Sequence, residues 1–229
     1  KISVITAVFN NRAHIAEALD SLLAQDHADV ERVVIDGGST DGTLDILRAR
    51  QDRLGVLVSE PDRGLYDALN KGLRLARGDV VGFLHSDDLF ADAAVLSRVA
   101  AAFADPAVCA VYGDLQYVRK GDTRRVVRHW KSAPFRARLL ARGWMPPHPS
   151  LYVRREWYER IGGFDTRYRI AADYFSILQL FSQPGFKSVY LPQVLVKMRV
   201  GGASNRSLAN IVRKSREDLD ALRRSGVGG

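Results

Sequence analysis

Two adjacent carboxylates end an apolar run in Phe83-Leu84-His85-Ser86-Asp87-Asp88-Leu89-Phe90. Val80 to Leu84 has the pattern of a buried strand. A strand that stops at paired acids aims them at the crevice outside the sheet's carboxyl edge, where open α/β sheets bind ligands. Neighbouring carboxylates repel, and a cation between them lowers the cost of keeping both ionised. Such oxygen donors suit Mg²⁺ or Mn²⁺ better than Zn²⁺, so Asp87 and Asp88 are candidate metal ligands. A solvated turn, with Asp88 or Asp92 capping the next helix, is the simpler alternative.

Other groups along the chain could join such a site. Asp36-Gly37-Gly38-Ser39-Thr40-Asp41-Gly42-Thr43 follows an apolar run. Its glycines let backbone approach a ligand, and a carboxylate at the strand end can accept from a nucleobase N–H or ribose hydroxyls. Capping by Ser39, Thr40 or Asp41 would explain the loop but not Asp36. Asp62-Arg63-Gly64 opens a helix with Leu65, Leu69 and Leu73 on the core face and Asp67 and Asn70 on a shared edge. Arg63 there suits a base or a phosphate, or is a plain surface cation. Asp173 has the apolar neighbours Ile170, Ala171, Ala172, Tyr174 and Phe175. That company raises a carboxyl pKa, as a general base needs, although a helix N-cap reads equally well. His148 lies in the proline-braced loop Met145 to Pro149. Arg199-Val200-Gly201-Gly202-Ala203-Ser204 sets a cation beside backbone N–H groups, as a pyrophosphate contact or an ordinary turn would.

These groups need a scaffold. Ile2 to Val8, Val30 to Ile35, Leu54 to Val58 and Val80 to Leu84 read as strands. Between them lie helical patterns through Ile15, Ala18, Leu19, Leu22 and Leu23, through Leu44 and Leu47, and through Leu65, Leu69, Leu73 and Ala76. This alternation predicts an α/β fold with a mostly parallel central sheet and helices on both faces. Val108 to Val118 and Arg124 to Trp130 then read as an antiparallel hairpin about Arg119 to Asp122. Pro134 to Arg142 reads as a short basic helix. Arg154 to Ile161, Ala171 to Phe181 and Leu208 to Arg224 read as helices, and Phe186 to Arg199 as two strands broken at Pro192.

A chain of 229 residues that is 46% hydrophobic and 26% charged can bury a sizeable core as one domain, residues 1–229. The lone cysteine, Cys109, excludes an internal disulfide and a multi-Cys zinc site. No apolar run is long enough to span a bilayer. The net charge of +8 is divided: residues 1–116 carry 11 Lys+Arg against 18 Asp+Glu, a balance of −7, and residues 117–229 carry 23 against 8, a balance of +15. An acidic half beside a basic half suits an anionic ligand approaching from the second.

In this order the segments resemble the family-2 glycosyltransferases of the GT-A (Rossmann-like) fold. Ile2 to Asn10 is similar to their opening strand, and Val34 to Thr43 to their second-strand signature. Ser86-Asp87-Asp88 is similar to their metal motif. Gly162-Gly163-Phe164-Asp165 and Ala172-Asp173-Tyr174 are similar to their acceptor-side region. The resemblance implies an inverting enzyme of the kind that builds bacterial surface polysaccharides, using Mn²⁺ or Mg²⁺ and a nucleotide-diphosphate sugar, commonly UDP-linked. Residues 1–116 would bind the donor, and residues 117–229 would form the acceptor side with the hairpin and the C-terminal helix. Ala7, Phe9, Asn10, Asp36, Arg63, Asp67, His85, Ser86 and Arg199 would contact the donor, Asp87 and Asp88 the metal. Asp173 would be the base, and His148, Phe164 and Asp165 would lie on the acceptor side. The family often has Asp where His85 stands, Glu-Asp where Ala172-Asp173 stands, and a second Asp at Gly37.

Rival readings lack their motifs. A sugar-nucleotide pyrophosphorylase needs a Gly-rich basic loop after the first strand, where Phe9-Asn10-Asn11-Arg12 stands. G-x-G-x-x-G and G-x-x-x-x-G-K-[ST] are absent. A non-catalytic polyanion-binding module draws on the +15 half, but the acidic half would repel a phosphate backbone, so no nucleic acid is expected. The expected acceptor is a glycan or a lipid-linked carrier. Arg119 to Arg142 holds nine basic residues against Asp122 alone, with Trp130, Phe135 and Trp144 in or beside it. Each basic residue near an anionic bilayer contributes about 1 kcal/mol, and aromatic rings favour the headgroup region. A cytoplasmic protein, peripheral at the inner face of the plasma membrane, is therefore the expectation.

Overall fold

A computed structural model describes residues 1–201 and 208–227. Strands β1 (Ile2–Val8), β2 (Val30–Asp36), β3 (Val56–Ser59) and β4 (Val80–Phe83) pair in parallel in the order β3-β2-β1-β4. All seven residues of β1 are buried, as a strand covered on both faces requires. Alternation then sorts its side chains. Ile5 and Ala7 join Val33 and Ile35 in one core, while Val8 and Val34 meet Ile15, Leu19 and Leu47 on the opposite face. Those last three belong to α1 (Ile15–Leu23) and α2 (Thr43–Arg48).

Helix α3 (Leu65–Leu75) packs closely on β1, because a Cβ on Gly72 would come within 2.4 Å of Ile5 Cγ2. Its buried face is Tyr66, Ala68, Leu69 and Gly72, and Leu65 is exposed. The expected core role of Leu65 thus passes to Tyr66, one residue on, because the helix is rotated to bring the tyrosine under the second half of the chain.

The same sheet continues through that half as a mixed one. β8 (Tyr152–Arg154) runs antiparallel to β4 and to β6 (Ala110–Arg119). β6 runs parallel to β9 (Ser188–Arg199), which holds β5 (Leu89–Phe90) at its edge, antiparallel. β9 is one strand, not two. Pro192 falls where the register slips between Tyr190 and Val194, a bulge that needs no ladder N–H from it. β7 (Asp122–Trp130) pairs only with β6, as the predicted hairpin, and Arg124 to His129 are exposed along it. The expected basic helix is a 3-10 segment, Ala137–Arg142. Helices α4 (Val95–Ala102), α5 (Arg155–Ile161), α6 (Ala172–Phe181) and α7 (Leu208–Arg224) complete the fold, and Cys109 is a buried thiol.

Candidate active site

The carboxyl ends of β1, β2 and β4 meet at one edge, and short polar side chains stitch their loops together. Asn10 takes a positive φ of 46°, which a short polar side chain tolerates. Its N–H donates to Ser39 Oγ (2.8 Å) and its Oδ1 accepts from Thr40 N–H (2.9 Å). Asn11 N–H donates to Thr43 Oγ1 (2.9 Å), and Asn11 Nδ2 donates to Ser86 Oγ (2.9 Å). Arg12 N–H donates to Asp41, which also accepts from Thr43 N–H at the start of α2. Ser86 is therefore part of the loop framework, and so is Asn11, which its bland sequence context did not reveal.

Asp36 is fully buried at the end of β2. Its Oδ2 accepts from Ser39 N–H (3.1 Å) and Ser59 Oγ (2.6 Å), while Oδ1 has no partner among the described residues. Beside it, a Cβ on Gly37 would meet Asp62 Oδ2 at 2.4 Å and the Phe9 ring at 3.4 Å, so only glycine leaves room for both. Phe9 is 61% exposed. Ala7 is buried in β1. Arg63 is largely exposed and pairs with Asp67, which accepts from Arg63 N–H (3.1 Å) and also faces Lys71.

The β4 loop carries the acids. Asp87 is half-buried, and its carboxylate accepts no hydrogen bond among the described residues. Asp88 is buried, and among the described residues neither oxygen has a partner of ordinary geometry. Burial, then the charge of Asp87, pushes the Asp88 carboxyl well above the usual carboxylate range, and nearby Arg199 offsets part of this. Asp92, not Asp88, takes the N–H before α4, from Ala94 (2.9 Å). Among the described residues no three potential ligands converge. An ion at Asp87, with Asp88 or His85 nearby, would fill its other positions from elsewhere.

Arg199 is nearly buried: its side chain is 3% exposed, and its guanidinium pairs with Glu17 and donates to the carbonyls of Asp87 (2.5 Å) and Lys120 (3.3 Å). It braces the Asp87 loop against the hairpin turn. Gly202 to Ser204, the rest of that motif, lie outside the described residues.

Asp173 sits in the first turn of α6. Its Oδ1 contacts the Tyr66 hydroxyl (3.1 Å) and accepts from Tyr174 N–H (2.8 Å). Desolvation raises its pKa, against the opposing effects of those hydrogen bonds, of His85 and of Lys214. Burial lowers the pKa of His85, while the charges of Asp87 and Asp173 both act to raise it. Beneath it, His148 is buried, 6.1 Å from His85 between ring centres, and stacked on Phe83 at 5.2 Å. Burial holds His148 down at about 3, so it is a neutral support. Phe164 is equally buried, against Tyr66, Phe83 and His148. Asp165 pairs with Arg167 and Arg224. The three expected acceptor-side residues are thus two packing residues and one ion-paired carboxylate. Asn70 clamps this region to α3, accepting from Phe164 N–H and donating to its carbonyl, both at 2.8 Å.

The parallel sheet edge thus carries Asp36 at the end of β2 and Asp87 and Asp88 in the loop after β4, and the second half contributes Asp173 at the start of α6. The model of "Glycosyl transferase family 2" matches residues 3–169, and the chain belongs to that family. A PGL/p-HBAD biosynthesis glycosyltransferase of Mycobacterium tuberculosis is 35% identical over 208 residues, 89% of this chain and 78% of its own. The mannosyltransferase PcManGT of Pyrobaculum calidifontis, solved with GDP-Man and Mn²⁺, is 26% identical with a TM-score of 0.73 over 100% of this chain and 64% of that one. S. aureus TarS, solved with UDP, has the same fold, with a TM-score of 0.73 at 20% identity over 98% of this chain and 65% of that one. The chain therefore spans slightly under two thirds of those two proteins.

Proposed function

We propose that the chain transfers a sugar from a UDP-linked donor to a hydroxyl of a glycan or lipid-linked acceptor, inverting the anomeric centre with a divalent ion bound. The observation that carries this reading is the sheet edge where buried Asp36 ends β2 and Asp87 and Asp88 follow β4, with Asp173 of the second half in contact with Tyr66 of the first. A uracil fits the base site on chemical grounds. Among the described residues Asp36 has one oxygen without a partner, and the exposed Phe9 ring borders the adjoining Gly37; uracil offers one imide N–H, whereas the guanine edge offers two adjacent donors.

Asp173 takes the proton of the acceptor hydroxyl as its oxygen attacks the anomeric carbon. The bond to the diphosphate oxygen breaks on the opposite face, and the pair of electrons leaves with the nucleotide. A single displacement inverts the centre and needs no enzyme nucleophile. Asp87, with Asp88 or His85 beside it, would hold a divalent ion, which when bound would supply charge neutralisation for the leaving diphosphate. One or two protein ligands suit Mg²⁺ or Mn²⁺, which complete their shells with water and phosphate oxygens.

Family membership sets aside the pyrophosphorylase and polyanion-binding alternatives. For the acceptor, the exposed ribbon Arg124 to His129, with Val126 and Val127 open to solvent, suits an anionic bilayer surface on the cytoplasmic side. Through Arg199 the hairpin turn is tied to the Asp87 loop, which would hold the site near that surface. Trp130, Phe135 and Trp144 pack on the cores, so the contact would be basic and aliphatic without aromatic anchors. Among the described residues no helix is long and apolar enough to cross a membrane.

Thermal shift with UDP-, GDP- and dTDP-sugars, with and without Mn²⁺, tests the donor. Stabilisation by a UDP-sugar that needs the metal is expected, and a stronger response to GDP-sugars would overturn the uracil assignment.

A further inference from the structure

The turn that presents Asp173 is held from a distance. Helix α6 starts without a local side-chain cap, yet the N–H groups just before it are satisfied. Glu217, just past the middle of α7, accepts from Arg169 N–H (3.3 Å), Ile170 N–H (2.8 Å) and Ala171 N–H (3.0 Å). A carboxylate at a helix N-terminus is favoured by charge as well as by hydrogen bonding. From the other side, the Tyr66 hydroxyl donates to the Ile170 carbonyl (2.6 Å) and contacts Asp173 Oδ1. The peptide at Ile170 is thus gripped at its N–H by Glu217 and at its carbonyl by Tyr66, three residues before the acid.

We propose that Glu217 is a positioning residue for Asp173: α7 reaches back across the second half of the fold and fixes the backbone that aims the base. This rests on Asp173 being the base. Glu217 touches only backbone in this turn, and its distance in sequence makes the geometry depend on α7 being docked. Docking itself has separate ties, since Tyr168 OH donates to Asp220 (2.6 Å) and Ala221 is fully buried. The two contributions can therefore be separated.

The test compares Glu217→Ala, Glu217→Gln and Asp220→Ala in the whole chain. Nucleotide release from the UDP-sugar that binds is followed, together with donor affinity by calorimetry, Tm, and amide exchange of residues 169–173. Because small misplacements of a reacting group are costly, Glu217→Ala is expected to lower kcat by roughly 10-fold or more while donor affinity stays within about twofold. Glu217→Gln keeps an acceptor oxygen for Ile170 and Ala171 and should recover most of kcat. Asp220→Ala should lower Tm without a matching loss of kcat. Unchanged kcat in Glu217→Ala, or an equal loss in Asp220→Ala, overturns the proposal and leaves Glu217 a fold-stabilising residue. If the wild-type chain releases no nucleotide from any donor tried, the function reading fails on its own, and amide exchange decides. Faster exchange confined to residues 169–173 in Glu217→Ala supports positioning, and an unchanged pattern rejects it.

Discussion

The Tyr66 hydroxyl, at the start of α3, lies 3.1 Å from Asp173 Oδ1, at the start of α6, across 107 positions of chain. This contact ties the two halves together at the group proposed as the base. The hydroxyl has one proton for two acceptors, the Ile170 carbonyl and this carboxylate, whose pKa desolvation raises.

Removing the hydroxyl tests the contact. A base works ionised, so activity climbs as pH rises through its pKa. The Tyr66 hydroxyl has one proton for two acceptors, the Ile170 carbonyl at 2.6 Å and Asp173 at 3.1 Å, so Tyr66→Phe should displace the acidic limb of the kcat profile. An unmoved limb would mean that Tyr66 does not act on Asp173.

Asp173→Asn keeps the shape of the side chain and removes its basicity. Turnover should fall by about 100-fold or more, the usual scale for a positioned base. Donor affinity measured by calorimetry should persist. Near-normal turnover with a competent acceptor would reject the assignment.

Asp88 makes a stability prediction. Burial raises its pKa in the folded chain, so the native state binds the proton more tightly than the unfolded one. Its contribution is then fully present below the unfolded carboxylate value and is lost as pH rises through the raised folded value. The neutral isostere Asp88→Asn should raise Tm in metal-free buffer at about pH 7, and the gain should vanish at about pH 3. A lower Tm at neutral pH would show that Arg199 more than repays the burial of the charge.

The exposed β7 ribbon can be tested apart from catalysis. Changing Arg124, Arg125 and Arg128 to Ser removes about 3 kcal/mol of attraction to an anionic surface, on the order of 100-fold in partitioning. The wild-type chain should co-sediment with anionic vesicles and be released by salt, and the triple variant should stay in the supernatant. Equal behaviour of the two would favour a soluble acceptor.

What was legible in the chain follows from what each element buries. β1, β2 and β4 are covered on both faces, so they are continuous apolar runs, and the acids at their ends stand out. β5 and β8 have two and three residues, too few to show any period, and their pairing depends on partners far along the chain. Pro192 looks like a break because the bulge that absorbs it is a property of the β6–β9 pairing, not of the local sequence. The ion pair of Arg199 is not legible locally, because nothing nearby reveals Glu17, its partner 182 positions away. Tyr66 and Glu217 were hidden for the same reason: each acts on Asp173 or its turn through a long-range contact, in a helix whose local pattern is ordinary.

The most direct measurement is calorimetric titration of the donor with and without Mn²⁺, on the wild-type chain and on Asp87→Ala. Metal-stimulated UDP-sugar binding should be present in the first and absent in the second, with the variant still folded by circular dichroism. Equal, metal-independent affinity in both proteins would contradict a nucleotide-diphosphate site built on the β4 acids.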